Sequence, residues 1–453
     1  MNRRIHKGGT FVRRLLISVA AMGIMATACF PTASPAPGPK PPSGPTTTTA
    51  PPASTTTTTG AVPTTTTPAV VQPQNGPTAW STPAAGIPTS PRSADWAARY
   101  AQYADPRDHE PSINFGLGAA SGDYSVPIYD AAEATGRSRV FQRPAHNWNG
   151  RFDIATGGTI PWNPSWLPAD GTDGHMVIID SRTGEEFDVW ALSTPSFSPS
   201  YLSQLECLQS VENVLAGYNT TRDLCAAAVM RIREPSGATA DVRTYTGNYP
   251  ATTEVGVQNS AGIATPDEVA SGRIPHALRM AVSLTATMSG PRCPADVTSP
   301  DDPRVGTTCG VAVAPAGKFN AANRVSTPEA LTKTIAQGTR VVVDVTDAEI
   351  EQWLTSRGYT GAQRSTARIF AVALRDYGMI QVMTSGGGWS IPVSGARNPA
   401  TEAGWRNLGI TGDGRDLLDG LVQPNKLRVL SPPTNTCNGV ATKLACWSSS
   451  TSY

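Results

Sequence analysis

The feature that most constrains this chain is a stretch that cannot fold. Residues 30–91 carry one charged residue, Lys40, among Pro, Thr, Ala, Ser and Gly, with threonine runs at Thr46–Thr49, Thr55–Thr59 and Thr64–Thr67. Such a segment buries too little apolar surface to offset the entropy of ordering it. It reads as a spacer, and proline-rich chain extends about 3 Å per residue, a reach of about 100 Å or more. Compact structure is therefore expected downstream, over about 360 residues from Ser93 to Tyr453, room for one large domain or two smaller ones.

Upstream of the spacer, Arg3, Arg4, Lys7, Arg13 and Arg14 precede an uncharged run from Leu15 to Ala28. A basic segment, an apolar segment and small residues form, in that order, an export signal. The apolar run is shorter than the ~20 residues that span a bilayer. The expected division is thus a signal peptide over 1–28, a tether over 29–92 and an exported domain over 93–453. Ala26-Thr27-Ala28-Cys29 resembles the lipobox of bacterial lipoproteins, although Ala26 stands where that family usually carries Leu. The resemblance implies acylation of Cys29, a membrane partner reached through an N-terminal lipid, and a position on the outer face of the cytoplasmic membrane. Ordinary cleavage after Ala28, leaving a free thiol, is the alternative.

Setting Cys29 aside leaves Cys207, Cys225, Cys293, Cys309, Cys437 and Cys446, which fall into three close pairs. Six cysteines permit fifteen connectivities, and pairing of neighbours closes small loops that an oxidising compartment preserves. A zinc site is the competing reading, but no C-x-x-C or Cys/His cluster occurs. The net charge of +1, with no basic stripe, argues against a nucleic-acid partner. No Gly-x-Ser-x-Gly elbow, His-Glu-x-x-His motif or phosphate loop is present, so no cofactor or metal is called for. Asp173, Asp180 and Asp188 lack the spacing of a calcium loop.

Along the domain, Ser93 opens a helix carrying Trp96, Tyr100 and Tyr103. His175–Asp180 and Glu185–Leu192, separated by Ser-Arg-Thr-Gly, read as a β-hairpin. Helices are expected over 200–216 and 221–233, and Thr265-Pro-Asp-Glu268 is a capping box. A strand is expected over 276–285 with His276, Leu278, Met280, Val282 and Leu284 on one face. Short helices open at Thr327 and Thr346 around a strand over 340–345, and a longer helix covers 363–377. Residues 379–384 and 389–393 read as a second hairpin around Ser385-Gly-Gly-Gly388. The sum is a mainly β fold with short helices, α+β in class, most economically an antiparallel β-sandwich or jelly roll.

Candidate chemistry centres on the strand Glu185–Leu192. Phe187 and Val189 point one way, while Glu186, Asp188 and Trp190 point the other, and carboxylates two apart on a strand suit the separations used in glycoside hydrolysis. Glu186-Phe-Asp188 is similar to the Glu-x-Asp core of jelly-roll glucanases, but Trp190 stands where that pattern continues to a further glutamate. A solvated polar strand face is the alternative. His175 and His276 each begin a strand with apolar neighbours, which suits either a core histidine or a tuned acid/base at a strand mouth. With Tyr377 or Tyr129 and with Arg279, His276 would supply the base, acid and charge neutraliser of a polysaccharide lyase.

Three blocks, Asp173-Gly-His-Met-Val-Ile-Ile-Asp180 with Phe187-Asp-Val-Trp190, Gly272-Arg-Ile-Pro-His-Ala-Leu278, and Leu374-Arg-Asp-Tyr-Gly378, resemble a set of exported bacterial proteins of unassigned function. The likeness covers scattered blocks from about residue 120 to 430 and implies a shared extracellular domain without an activity. The functional expectation is a surface-tethered domain acting on carbohydrate of the cell envelope or surroundings. His175, Asp188, Trp190, His276 and Trp389 would line its cleft, with Arg279 binding substrate. A non-catalytic carbohydrate-binding module and a structural or adhesive envelope protein are the alternatives. Converging ionisable groups in a pocket would mark the catalyst.

Overall fold

The computed structural model describes residues 79–102, 111–117, 124–144, 154–155, 157–171, 173–199, 202–232, 253, 255–283, 291–317, 334–385, 389–433, 435–436 and 446–448. The export signal, Cys29, most of the tether, the helix expected at Thr327 and Gly386–Gly388 lie outside these residues. The folded part nevertheless starts earlier than composition indicates. Trp80 is buried, its carbonyl accepts from the Ala277 N–H at 2.8 Å, and Thr89 bridges Leu430. Composition averaged over 30–91 hid the apolar side chains of Trp80, Ala84 and Ile87, which pack on the domain.

Two layers position everything else. A six-stranded sheet holds, in spatial order, β1 (Ser112–Asn114), β13 (Ser390–Pro392), β9 (Leu278–Ser283), β12 (Met379–Ser385), β11 (Arg340–Val343) and β14 (Leu427–Val429). One of its faces packs on α1 (Ser93–Gln102), α4 (Asp347–Ser356), α5 (Gly361–Asp376) and α6 (Pro399–Asn407). Leu278, Met280 and Val282 alternate into this core and meet Trp353, Phe370, Leu374 and Trp405. The helices start where the sequence signals: Thr346 and Glu349 form a capping box on α4, and Asn398 accepts from Ala400 N–H ahead of Pro399 on α6.

The second layer is a small sandwich. A four-stranded sheet, β2 (Ile128–Asp130), β5 (Met176–Ile179), β6 (Glu186–Trp190) and β8 (Ala228–Ile232), faces a three-stranded sheet of β4 (Thr159–Trp162), β3 (Gly136–Gln142) and β7 (Leu224–Ala226). Met176, Ile178, Phe187 and Val189 from the first meet Val140, Ile160, Trp162 and Leu224 from the second. β5 and β6 form the expected antiparallel hairpin, with Gly184 at φ 72° closing its turn. A further short sheet holds β10 (Ala312–Val313), β16 (Cys446–Ser448) and β15 (Asn435–Thr436).

The structure corrects three sequence expectations. The sheets are mixed rather than purely antiparallel, with β1–β13, β9–β12, β2–β5 and β3–β7 parallel, and the architecture combines α and β layers with no jelly roll established. Where a helix is expected over 221–233, Leu224–Ala226 and Ala228–Ile232 form strands β7 and β8, because side chains 223–230 are buried on both faces between β3 and β6, which overrides the helix propensity of alanine. Strands β12 and β13 do not pair with each other; β9 lies between them, parallel to one and antiparallel to the other.

Cys207 bonds Cys225 and Cys293 bonds Cys309, with Cα separations of 5.9 and 4.7 Å. Both are neighbour pairings and fit an oxidising, exported environment; the pair Cys437 and Cys446 lies outside the residues whose side chains are described. Among the described residues no helix is long and apolar enough to cross a membrane.

Gly262 joins the upstream segment to the domain. Its φ of +72° favours glycine, and a Cβ there would overlap the Trp80 ring. Gly262→Ala is expected to cost about 2–4 kcal/mol from overpacking and left-handed backbone together, read as a lower urea midpoint at unchanged m-value. A midpoint equal to that of the parent would show that Trp80 is not anchored there.

Candidate functional site

Strand alternation builds the most unusual cluster in the molecule. Phe187 and Val189 enter the sandwich core, so Glu186 and Asp188 occupy the opposite face of β6. That face is neither solvated nor open: Glu186 is 3 % exposed and Asp188 0 %. Residues 255–263 cover it, with β9 of the six-stranded sheet behind them. On β9 the helix-facing residues are Leu278, Met280 and Val282, which leaves Arg279 on the other face, fully buried and within the electrostatic reach of the carboxylates.

Backbone and side chains of residues 258–260 tie the charges together. The Asn259 N–H donates to Asp188 Oδ2 at 2.9 Å, and Ser260 donates to Glu186 through its N–H at 3.2 Å and its hydroxyl at 2.6 Å. The Arg279 guanidinium donates to the Asn259 carbonyl and Oδ1 at 3.0 and 3.1 Å and to the Gln258 carbonyl. Asp188 Oδ1 has no donor among the described residues.

Burial raises the Asp188 carboxyl well above the ordinary range, and the neighbouring Glu186 charge raises it further, against the pull of Asn259 N–H and Arg279. Burial likewise lowers the Arg279 guanidinium to about 10, opposed by the two carboxylates. A proton retained on Asp188 reduces the negative charge buried beside Arg279.

The network extends toward solvent through His175. Its Nδ1 lies 3.4 Å from Asn259 Nδ2, and its Nε2 lies 3.7 Å from Asp173 Oδ2, whose side chain is 36 % exposed. Burial acts to raise the Asp173 carboxyl, but hydrogen bonding and charge from His175 and a hydrogen bond from Trp190 outweigh it and leave it below the usual range. Ala191, next to Trp190, sits at φ 51°, an uncommon conformation for a residue with a Cβ, while its N–H donates to the Asp173 carbonyl at 2.7 Å.

The structure thus gathers His175, Glu186, Asp188 and Arg279, with Trp190 at the outer edge, and disperses the other candidates. His276 is clasped between the Ala277 carbonyl at Nδ1 (2.9 Å) and Glu268 Oε1 at Nε2 (3.2 Å). Two acceptors on two ring nitrogens are both satisfied by the imidazolium. Burial lowers its pKa, but the Glu268 hydrogen bond and charge win and leave it raised. Glu268 also closes the capping box on α3 (Pro266–Ala270) through Thr265. His276 therefore pins a helix start to the entry of β9 rather than lining a cleft with His175.

Tyr377 ends α5, half-buried against another apolar cluster, and its carbonyl accepts from Arg340 Nε. Trp389 is 1 % exposed, packed 5.6 Å from the Tyr100 ring in the main core, so it offers no sugar platform. Tyr129 is likewise a core residue of the sandwich. Asn259 and Ser260 are the partners that sequence reasoning missed; the only trace is the polar run Gln258-Asn-Ser260 set among Val255, Val257, Ala261 and Ile263.

Chemically, the cluster can hold and exchange a proton while binding two sheets together. Direct contact between a substrate and Glu186, Asp188 or Arg279 is prevented by their burial, and a catalytic carboxyl pair needs such contact. Among the described residues no group of three or more His, Cys, Asp or Glu side chains could hold a metal ion. No protein-family model matches the chain, and comparison with curated proteins and with solved structures gives no match.

The raised Asp188 pKa has a definite sign in stability. The folded state keeps a proton that the unfolded chain has released, so the stabilisation is full below the unfolded carboxylate pKa and drains away as pH rises through the folded value. Asp188→Asn removes that titration. Its urea midpoint, relative to the parent, should climb across a pH series from below the carboxylate range to above neutrality. Parallel curves for the two proteins would refute a proton retained on Asp188.

Proposed function

We propose that this chain is an exported, tethered carbohydrate-binding protein of the cell envelope, and that it binds without catalysis. The observation that carries the reading is an open cleft of about 530 Å³ beyond the end of β6. It is lined by Thr194, Ser196, Phe197, Ser203, Gln204 and Thr221, of which Thr194, Ser203, Gln204 and Thr221 also bond neighbouring residues of the domain. Hydroxyls both donate and accept, matching the groups of a neutral sugar. No ionisable side chain is among its described lining residues, which disfavours the uronate chemistry of a lyase.

Internal bonds hold the lip of the cleft in shape. The Thr194 N–H donates to the Phe197 carbonyl at 2.7 Å, and the Phe197 N–H donates to Thr194 Oγ1 at 3.0 Å. Arg397 backs the half-buried Phe197 ring at 5.2 Å and is itself paired with Asp170. A pre-shaped lip spends less ordering entropy on binding than a loose one. Acylation of Cys29 and the extended tether belong to the same proposal and would hold the cleft away from the membrane. Mass spectrometry of the mature N-terminus tests the acyl group.

The functional test is a panel of soluble and insoluble polysaccharides offered to the full chain, read for binding and for new reducing ends or unsaturated products. Binding without turnover is expected, and Phe197→Ala should weaken it about tenfold, ~1.4 kcal/mol, for one aromatic contact. Turnover would overturn the non-catalytic part, and absence of binding across the panel the carbohydrate part.

A second reading, an adhesive domain that docks protein, is favoured by one observation. The large apolar side chains exposed among the described residues, Leu205, Leu208, Val211, Val214 and Leu215, all lie on one helical excursion over residues 204–215 beside the cleft. Leu215→Ser, at a position 82 % exposed, should leave polysaccharide binding unchanged if the cleft is the functional surface.

A further inference from the structure

We infer that the loop closed by Cys293 and Cys309 is a clasp that fastens an N-terminal strap, residues 79–92, to the domain, with its disulfide as the latch. The base of the loop is fixed: the disulfide joins its ends, the Gly310 N–H donates to the Pro291 carbonyl at 3.0 Å, and Val297 and Val305 enter the main core. Its tip is folded on itself. The Arg304 guanidinium reaches Asp296 at 2.7 Å and Asp302 at 2.8 Å, and the Arg304 carbonyl accepts from the N–H groups of Thr308 and Cys309 at 2.9 and 3.2 Å. A loop held in this way presents its acceptors at set positions.

Those acceptors meet donors from the end of the strap and from α1. The Ser90 hydroxyl donates to Asp301 Oδ1 at 2.7 Å, Arg92 to the carbonyls of Asp302 and Val305 at 3.2 and 2.8 Å, and Arg99 to the Gly306 carbonyl at 3.2 Å. Upstream of Ser90 the attachment is thinner. The buried residues of the strap are Trp80, Ala84 and Ser90, and backbone bonds carry much of the rest: Ala84 N–H to the Asp376 carbonyl at 2.7 Å, Ser90 N–H to that of Val429 at 2.9 Å, and Ser431 N–H to that of Pro88 at 2.8 Å. A segment with so few buried apolar side chains opens more readily than the core, so its seating depends on the polar contacts at its downstream end. Without the disulfide the open loop regains chain entropy worth a factor of about 100 for a ring of this size, and the carbonyls that receive Arg92 lose their set positions. Helix α1 is expected to stay, because Trp96 and Tyr100 belong to the main core. The clasp is independent of the cleft beyond β6, with which its residues share no lining position.

The test is residue-resolved hydrogen exchange on the full chain. With Cys293→Ser and Cys309→Ser combined, the amides of Ala84, Ser90 and Ser431 should exchange at least about tenfold faster than in the parent, while those of β5 and β6 keep parental rates. Equal strap rates in the two proteins overturn the latch. So does a uniform acceleration that includes β5 and β6, which would make the disulfide a brace of the whole domain. Combined Cys207→Ser and Cys225→Ser is the control, and an equal acceleration of the strap there overturns the assignment to this loop. If the first double variant does not fold, Ser90→Ala and Arg92→Met decide, because they remove the strap's side of the clasp and leave the disulfide in place. Each should speed the strap amides about two- to tenfold, the worth of one hydrogen bond, and parental rates in both overturn the clasp.

Discussion

A guanidinium and two carboxyls buried between two sheets leave this fold little freedom of register. Arg279 projects from one sheet and Glu186 and Asp188 from the other, and the segment carrying Gln258, Asn259 and Ser260 bonds to both sides. A slip of one residue in β6 would turn Phe187 and Val189 into the charged layer and drive the carboxylates into the sandwich core. Removing one member of such a group strands the others, a loss of about 3–5 kcal/mol. The position of residues 255–263, and with it the seat of Trp80 on Gly262, follows from that network.

The same constraint explains where ligands are proposed to bind. With its ionisable groups engaged in holding sheets together, the cluster presents to solvent only Asp173 and the edge of Trp190. The candidate surface lies elsewhere, in the cleft of the loop beyond β6. No histidine is among its described lining residues. Catalysis at the carboxyl pair would require moving the segment over 255–263, and its bonds to Glu186, Asp188 and Arg279 oppose that motion.

Local elements were the most legible in the chain. Capping boxes at Thr265 and Thr346, the glycine-closed hairpin of β5 and β6, and the long amphipathic α5 each depend on neighbours within a few residues, and each forms where the sequence signals. Pairing between distant strands was not legible, which is why β9 between β12 and β13 went unseen. The blocks Asp173–Asp180 with Phe187–Trp190, Gly272–Leu278 and Leu374–Gly378 build β5, β6, the entry to β9 and the end of α5. They thus mark the frame of the buried cluster, although their chemistry alone pointed to a cleft.

By itself the sequence determined the neighbour pairing of Cys207 with Cys225 and of Cys293 with Cys309 and the face of β6 that carries its carboxylates, because each is a property of spacing or short-range period. Only tertiary structure decided that this face is sealed, that His276 serves Glu268 rather than His175, and that Trp389 is core. Burial and hydrogen-bond partnership depend on what distant segments bring to a side chain. Identical residues on an uncovered strand would have been a polar surface or an active site; here Arg279 and Asn259, far along the chain, make them an internal brace.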